Sequence, residues 1–139
     1  MALIPLPSEI IYSNGAFALT DSTAIKCDEK LSSAAKIFSK LFNLQFDEQQ
    51  ATSNVEYSLD KNLAEEEYIL SVKPDSIKIT ASEVKGAVWA TQTLRQLCEK
   101  GAKEDKILIP CVEIRDKPRF SWRGVTFDVS RHFFDANEI

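Results

Sequence analysis

Apolar and polar positions alternate along this chain in a way that predicts several short strands and two helices. Glu9-Ile10-Ile11-Tyr12-Ser13 and Ala16-Phe17-Ala18-Leu19-Thr20 are apolar-rich runs on either side of Asn14-Gly15. That dipeptide between two such runs predicts a hairpin, because a type I′ turn needs positive φ at both central residues. Ala24 to Cys27 predicts a short strand. From Glu29 to Asn43, the residues Leu31, Ala34, Ala35, Phe38, Leu41 and Phe42 recur at helical spacing, with Asp28 placed to cap the first turn. Gln45 to Asn54 is polar and reads as a loop, and Val55 to Leu59 returns to strand alternation.

A second hairpin is predicted from Tyr68–Lys73 and Ser76–Ala81, with Pro74-Asp75 as its turn, since proline presets φ at the first central position. Ile77 and Ile79 share one face while Lys78 and Thr80 face the other, so this sheet should be wet on one side. A second helix is expected from about Glu83 to Lys100, capped by Ser82 and ended by Gly101. Its buried stripe would be Val84, Ala87, Val88, Thr91, Leu94, Leu97 and Cys98. Ile107 to Ile114 predicts a strand, assigned to a sheet edge because Pro110 has no N–H to donate.

This order of elements predicts an α+β fold, a mainly antiparallel sheet with two helices packed on one face. Asp116-Lys117-Pro118 marks a boundary between a first unit, residues 1–117, and a second, residues 118–139. The second unit runs through strand-like Val125–Val129 into a polar cluster of Asp128, Ser130, Arg131 and His132. A strand ending in ionisable groups is how a (β/α)8 barrel begins to build a site, but such a barrel takes roughly 250 residues and the chain has 139.

Composition narrows the function. Hydrophobic content of 44% and charge of 27% fit an ordinary globular domain. The net charge of −4 with no basic cluster argues against nucleic acid as a partner, because phosphate contacts need a basic face. No segment approaches the ~20 apolar residues of a membrane span. Met1-Ala2-Leu3-Ile4-Pro5 lacks a basic n-region and its apolar run stops at Pro5, so it does not read as a signal peptide. Export of a parent protein to the periplasm or the outside of the cell stays open, since a leader can be removed upstream. Cys27, Cys98 and Cys111 are widely spaced and form no CxxC, and a single histidine, His132, completes no zinc site of the usual kind. The cysteines read as small buried hydrophobes, with one disulfide and a spare thiol as the alternative. No metal and no cofactor is expected.

Pro118-Arg119-Phe120-Ser121-Trp122-Arg123-Gly124 through Ser130-Arg131-His132 strongly resembles the start of the catalytic barrel in family 20 glycoside hydrolases, the β-N-acetylhexosaminidases. Ile4-Pro5-Leu6-Pro7 with Gly15-Ala16-Phe17-Ala18-Leu19 is similar to the family's proline-rich opening. Tyr68-Ile69-Leu70, Ile77–Ala81, Gly86 and Gln92-Thr93-Leu94-Arg95-Gln96-Leu97 are similar to its hairpin and following helix. Val88-Trp89-Ala90 departs from the usual aromatic-aromatic-glycine run. The resemblance implies an N-terminal accessory domain followed by the first strand of a truncated barrel. It also implies a parent enzyme that removes terminal N-acetyl-hexosamine with retention, using the substrate's acetamido oxygen as nucleophile. An adjacent Asp-Glu pair on a later strand would orient that group and supply the general acid/base, so this chain by itself is expected to be inactive. Its own pairs, Asp28-Glu29 and Asp47-Glu48, read as a helix start and a polar loop. Glu65-Glu66-Glu67 reads as a solvated approach to a strand.

Arg123 is the residue to which the resemblance gives a substrate role, binding hydroxyls of the terminal sugar; five fixed guanidinium donors suit that task. The competing assignment is a structural salt bridge to a barrel acid. Arg123 also lies near the start of its strand, whereas barrel sites gather at the far ends. Asp128 and His132 could form an acid–base couple held by Arg131, but all three are better assigned to supporting the groups that touch the sugar. Trp122 and Trp89 read as packing or interdomain residues.

Two other functions compete: a non-catalytic carbohydrate-binding module using the open sheet face, and the N-terminal domain of a different barrel glycosidase. For the binding module, Tyr57 and Tyr68 are the ring candidates. Truncation of a barrel strand further predicts self-association, or disorder, through residues 120–139.

Overall fold

A computed structural model of the chain describes residues 3–46, 53–103, 106–126, 128 and 135. Its frame is a mixed sheet covered on one face by two helices. The strands are β1 (Glu9–Leu19), β2 (Ala24–Cys27), β3 (Gln45–Phe46), β4 (Val55–Leu59), β5 (Tyr68–Val72), β6 (Ile77–Ala81), β7 (Ala102–Lys103) and β8 (Lys106–Asp116). The helices are α1 (Ser32–Phe42), preceded by a 3-10 turn at Glu29–Leu31, and α2 (Val84–Gly101). Strand order is β1-β8-β5-β6-β4-β2-β3, with β7 pairing to β8. The expected antiparallel pairs are present on the β1 side, but β3, β4 and β6 join through parallel pairs with β2 and β4. Antiparallel pairing thus predominates as expected, and the sheet is mixed because α1 carries the chain across it between β2 and β4 as parallel strands require.

Register explains which face is dry. Ile10, Ile114, Leu70, Ile79, Tyr57 and Cys27 form one continuous cross-strand row on the helix side. The neighbouring row, Ile11, Glu113, Ser71, Lys78, Glu56 and Lys26, faces away from the helices. Side chains alternate with period two, so one register fixes both compositions at once. From the helices, Ala34, Ala35, Phe38, Ala87, Ala90, Thr91, Leu94, Leu97 and Cys98 close the core. Leu41 and Val84, expected in the two stripes, are instead exposed, each at the outer margin of its helix.

Three local expectations are corrected. Asn14-Gly15 does not turn a hairpin: β1 runs straight through it, and both halves pair with β8. Gly15 has φ of 107°, while Asn14 does not share the positive φ a type I′ turn would demand. Tyr12 pairs with Val112 and Ala16 with Pro110, so three residues of β1 bulge out opposite Cys111. β8 is not an edge strand; it lies between β1 and β5. Pro110 is tolerated there because it faces the end of that bulge and lies beyond β5, whose ladder stops at Val112. Ser82 does not cap α2 but donates its hydroxyl to the Ala64 carbonyl at 2.7 Å.

Other local expectations match. Asp28 accepts from the Lys30 amide at 3.0 Å and caps the 3-10 turn. Asn43, with φ of 50°, closes α1 in the left-handed conformation. The turn at Pro74-Asp75 is closed by Lys73 N–H donating to the Ser76 carbonyl at 2.8 Å. No disulfide joins Cys27, Cys98 and Cys111, and all three are buried. No helix among the described residues is long and apolar enough to cross a membrane. Val125, Thr126 and Asp128 lie outside any strand, and residues 127 and 129 of the expected barrel strand are outside the described residues.

Candidate functional site

The acidic run Glu65-Glu66-Glu67 leads into β5 and passes beside the start of α2, where Lys85 and Trp89 sit one turn apart on the helix. Each glutamate engages its own cation. Lys85 pairs with Glu65, Arg123 with Glu66, and Arg115, near the end of β8, with Glu67 at 2.8 Å. The run is thus an anchoring strip rather than a solvated approach. The Glu66 and Glu67 side chains keep only 21% and 13% of their accessible surface.

The Glu66 pair is the most developed. Arg123 donates through Nη2 to Glu66 Oε1 at 2.7 Å and through Nη1 to Oε2 at 3.2 Å, a two-pronged contact suited to a planar guanidinium. Nη1 also donates to the Phe120 carbonyl. Trp89 Nε1 donates to Glu66 Oε1 at 3.2 Å, and the Arg123 guanidinium carbon lies 5.3 Å from the Trp89 ring centroid, within cation–π range. The hydrogen bonds from Arg123, then from Trp89, hold the Glu66 carboxyl below its ordinary pKa, and Glu66 in turn raises that of Arg123. For Glu67 the Ala64 amide is the larger cause of the lowering, followed by Arg115.

Beside this cluster runs a groove of about 940 Å³, lined by Ile4, Leu6, Trp89, Gln96, Phe120 and Arg123 among others. Segments far apart in the sequence are stitched together along it. The Gln96 side-chain amide accepts from Ile4 N–H at 3.0 Å and donates to the Ile4 carbonyl at 2.8 Å, mimicking a strand neighbour. Ser8 donates to Asp116 through both its amide, at 3.0 Å, and its hydroxyl, at 2.9 Å. The Tyr68 hydroxyl lies 2.7 Å from that of Thr93, and burial raises its pKa.

The sequence-predicted site is only partly assembled. Arg123 is anchored on Glu66, an acid of the sheet domain rather than of a barrel. Asp128 is exposed and outside any strand, while Arg131 and His132 lie outside the described residues, as does Asp47-Glu48. Asp28 is spent on its cap. Tyr57 and Tyr68 are both buried on the helix side of the sheet, so neither is an open platform for a sugar ring. Trp122, read as a packing residue, is 86% exposed, and Trp89 is also exposed, at 38%, beside Arg123. Sequence reasoning missed Glu66 and Trp89. The available signal was the four-residue spacing of Lys85 and Trp89, which puts a cation and an indole donor on one face of α2. Among the described residues no three His, Cys, Asp or Glu side chains converge as metal ligands.

Residues 1–117 match the family model described as glycosyl hydrolase family 20, domain 2. A β-hexosaminidase of Vibrio furnissii is 31% identical over 143 aligned residues, covering 100% of this chain and 23% of that protein. A β-hexosaminidase of Porphyromonas gingivalis is likewise 31% identical, over 99% of this chain and 20% of its own length. The crystal structure of a β-N-acetylhexosaminidase from Bacteroides fragilis superposes with a TM-score of 0.85 at 26% identity, over 98% of this chain and 29% of that one. The chain thus spans between a fifth and a third of these relatives. Matched to the family model over most of its length, it belongs to glycosyl hydrolase family 20.

Proposed function

We propose that residues 1–117 are the N-terminal accessory domain of a β-N-acetylhexosaminidase, that residues 118–139 begin its catalytic (β/α)8 barrel, and that this chain alone does not turn over substrate. The observation that carries the reading is the end-to-end match to β-hexosaminidases of which the chain spans only 23% and 20%. The chemistry agrees. The acids lining or flanking the groove are already engaged, Glu66 by Arg123 and Asp116 by Ser8, so among the described residues no adjacent carboxylate pair along the groove is poised to protonate a leaving group.

In the complete enzyme the substrate is a glycan ending in N-acetyl-hexosamine, hydrolysed with retention by its own acetamido oxygen. The Asp-Glu pair comes from a later barrel strand, so the two-carboxylate spacing of ordinary retaining enzymes does not apply. Arg123 leaves Glu66 and presents its donors to the terminal sugar's hydroxyls, while Asp128, Arg131 and His132 support the groups around it. Val125 to Val129 becomes a strand once a parallel neighbour supplies its ladder. A carbohydrate-binding module is the weaker reading, because Tyr57 and Tyr68 are buried.

The test is substrate choice by the polypeptide extended past residue 139 into the barrel. It should hydrolyse an aryl N-acetyl-β-glucosaminide and leave the matching aryl β-glucoside, which lacks the acetamido nucleophile, essentially untouched. Equal rates on both would contradict the proposal.

A further inference from the structure

We propose that Asn14-Gly15 is a site of spontaneous deamidation, and that its isoaspartate product opens the bulge of β1 that covers Cys111. An asparagine ahead of glycine lets the following backbone nitrogen reach the side-chain carbonyl carbon most readily, because no Cβ stands in the way. Regular strands suppress that approach by fixing the backbone in a ladder. Here the ladder is interrupted. The register steps from Tyr12↔Val112 to Ala16↔Pro110, so Ser13, Asn14 and Gly15 have no cross-strand partner in β8. Among the described residues β1 is also the outermost strand on its side of the sheet. Asn14 is exposed, and its side chain makes no hydrogen bond to a described residue. The other described asparagines are held. Asn43 is the left-handed cap of α1, and the Leu44 amide that follows it donates to the Ser39 carbonyl at 2.9 Å. Asn54 Oδ1 accepts from Ala24 N–H at 3.5 Å, and the next residue, Val55, is buried and paired on both sides. Asn62 donates to Asp60 at 2.8 Å, and the Leu63 amide donates to the Asp60 carbonyl at 3.3 Å.

The chemistry needs only water. The Gly15 backbone nitrogen gives up its proton to solvent and attacks Asn14 Cγ, forming an N–Cγ bond. The Cγ–Nδ2 bond then breaks, and ammonia leaves with a proton taken from solvent, closing a five-membered succinimide. Water opens the ring at Cγ to give aspartate, or at the Asn14 backbone carbonyl to give isoaspartate, whose main chain runs through Cβ. Either product adds a negative charge to a bulge, Ser13-Asn14-Gly15, that carries none. Isoaspartate also lengthens the backbone just before Gly15. That position has little room to absorb the change: even a Cβ on Gly15 would lie 3.3 Å from Cys111 Sγ and 3.3 Å from Pro74 Cγ. Cys111 is only 1% exposed beneath this cover. Displacing Gly15 uncovers the thiol, and a buried, inert cysteine becomes a reactive one as the protein ages.

Ageing the 139-residue chain in mildly alkaline buffer tests this, beside a synthetic peptide of residues 9–20. Cleavage after lysine and arginine gives a peptide of residues 1–26 in which Asn14 is the only asparagine. Its mass shift, and its methylation by an isoaspartyl methyltransferase, therefore report this site alone. The folded chain should form isoaspartate within ~10-fold of the synthetic peptide's rate, and ahead of the other described asparagines, which react only after local opening. A slower rate than that, or earlier loss of ammonia from Asn43, Asn54 or Asn62, overturns the proposal. In the aged chain a maleimide should label Cys111 at least ~10-fold faster than in the fresh chain; unchanged labelling overturns it as well. Asn14→Gln alters an exposed side chain and disfavours the cyclisation, since the ring would need six members. It should leave the melting temperature of the fresh chain unchanged, gain no mass in residues 1–26 and keep Cys111 shielded after the same incubation. Labelling of Cys111 that rises equally in the aged Asn14→Gln chain assigns the opening to another lesion and overturns the link.

Discussion

Gly86 shows how a single position is decided by competing magnitudes. An alanine there should help α2, since glycine inside a helix costs about 1 kcal/mol relative to alanine. Yet a Cβ on Gly86 would lie 2.5 Å from the Glu67 carbonyl oxygen and 3.3 Å from the Ala81 Cβ. The first of these is backbone and cannot swing away, so the helix must shift; overpacking of that kind costs typically 1–3 kcal/mol. We predict that Gly86→Ala lowers stability by about 1 kcal/mol or more net of the helix gain, read as a fall in the urea midpoint at unchanged slope. The Tyr57–Thr91 pair yields a second residue-level prediction. Thr91 spends its proton on the Ala87 carbonyl at 2.8 Å, so it is Tyr57 that donates across the 3.0 Å contact between the hydroxyls. Thr91→Val strands a buried phenol, about 1–3 kcal/mol, whereas Tyr57→Phe leaves only a threonine lone pair idle, about 1 kcal/mol. Thr91→Val should therefore be the more damaging change in the same unfolding measurement.

At the scale of elements, strands and helices with strong periodicity were legible, and their neighbours in space were not. Ile77-Lys78-Ile79 announced a half-buried strand, and the stripe from Leu31 to Phe38 announced a helix, because burial of one face is written directly into side-chain order. Asn14-Gly15 misled because its local preference for a turn is worth less than the pairing β1 gains along the whole of β8; the glycine's positive φ was used for a bulge instead. Pro110 misled in the same way, since a missing donor excludes proline only where a ladder bond is due. The acidic run before β5 carries a pH prediction. Glu66 and Glu67 both titrate below the ordinary value of 4.5 in the folded chain. The unfolded chain then takes up protons first as pH falls, so their stabilising contribution is complete above that value and is lost as pH drops through the lowered folded pKa. Thermal melts should thus fall below about pH 4.5, and the double substitution Glu66→Gln, Glu67→Gln should flatten that decline while leaving the melt at pH 7 lower than in the parent chain.

For the whole molecule, the sheet domain has its own core and closes its N-terminal segment onto α2 and β8 through Gln96 and Asp116. The family assignment was legible in motifs, and the structure gives several of those motifs a shared physical purpose: Ile4 meets Gln96, and Gly86 makes room for Glu67. The site was far less legible. Arg123 could be singled out by its motif, but its resting partner lies 57 residues back in the sequence, and no local pattern encodes that separation. Of the other three expected site residues, Asp128 is exposed and outside any strand, and Arg131 and His132 lie outside the described residues.

The most direct measurement compares hydrolysis of a chromogenic N-acetyl-β-glucosaminide by the 139-residue chain and by the polypeptide extended past residue 139 into the proposed barrel. The account predicts turnover by the extended form and none above background by the chain itself. Turnover by the 139-residue chain would contradict it and return attention to the acids around the groove; silence from both would remove the hexosaminidase assignment.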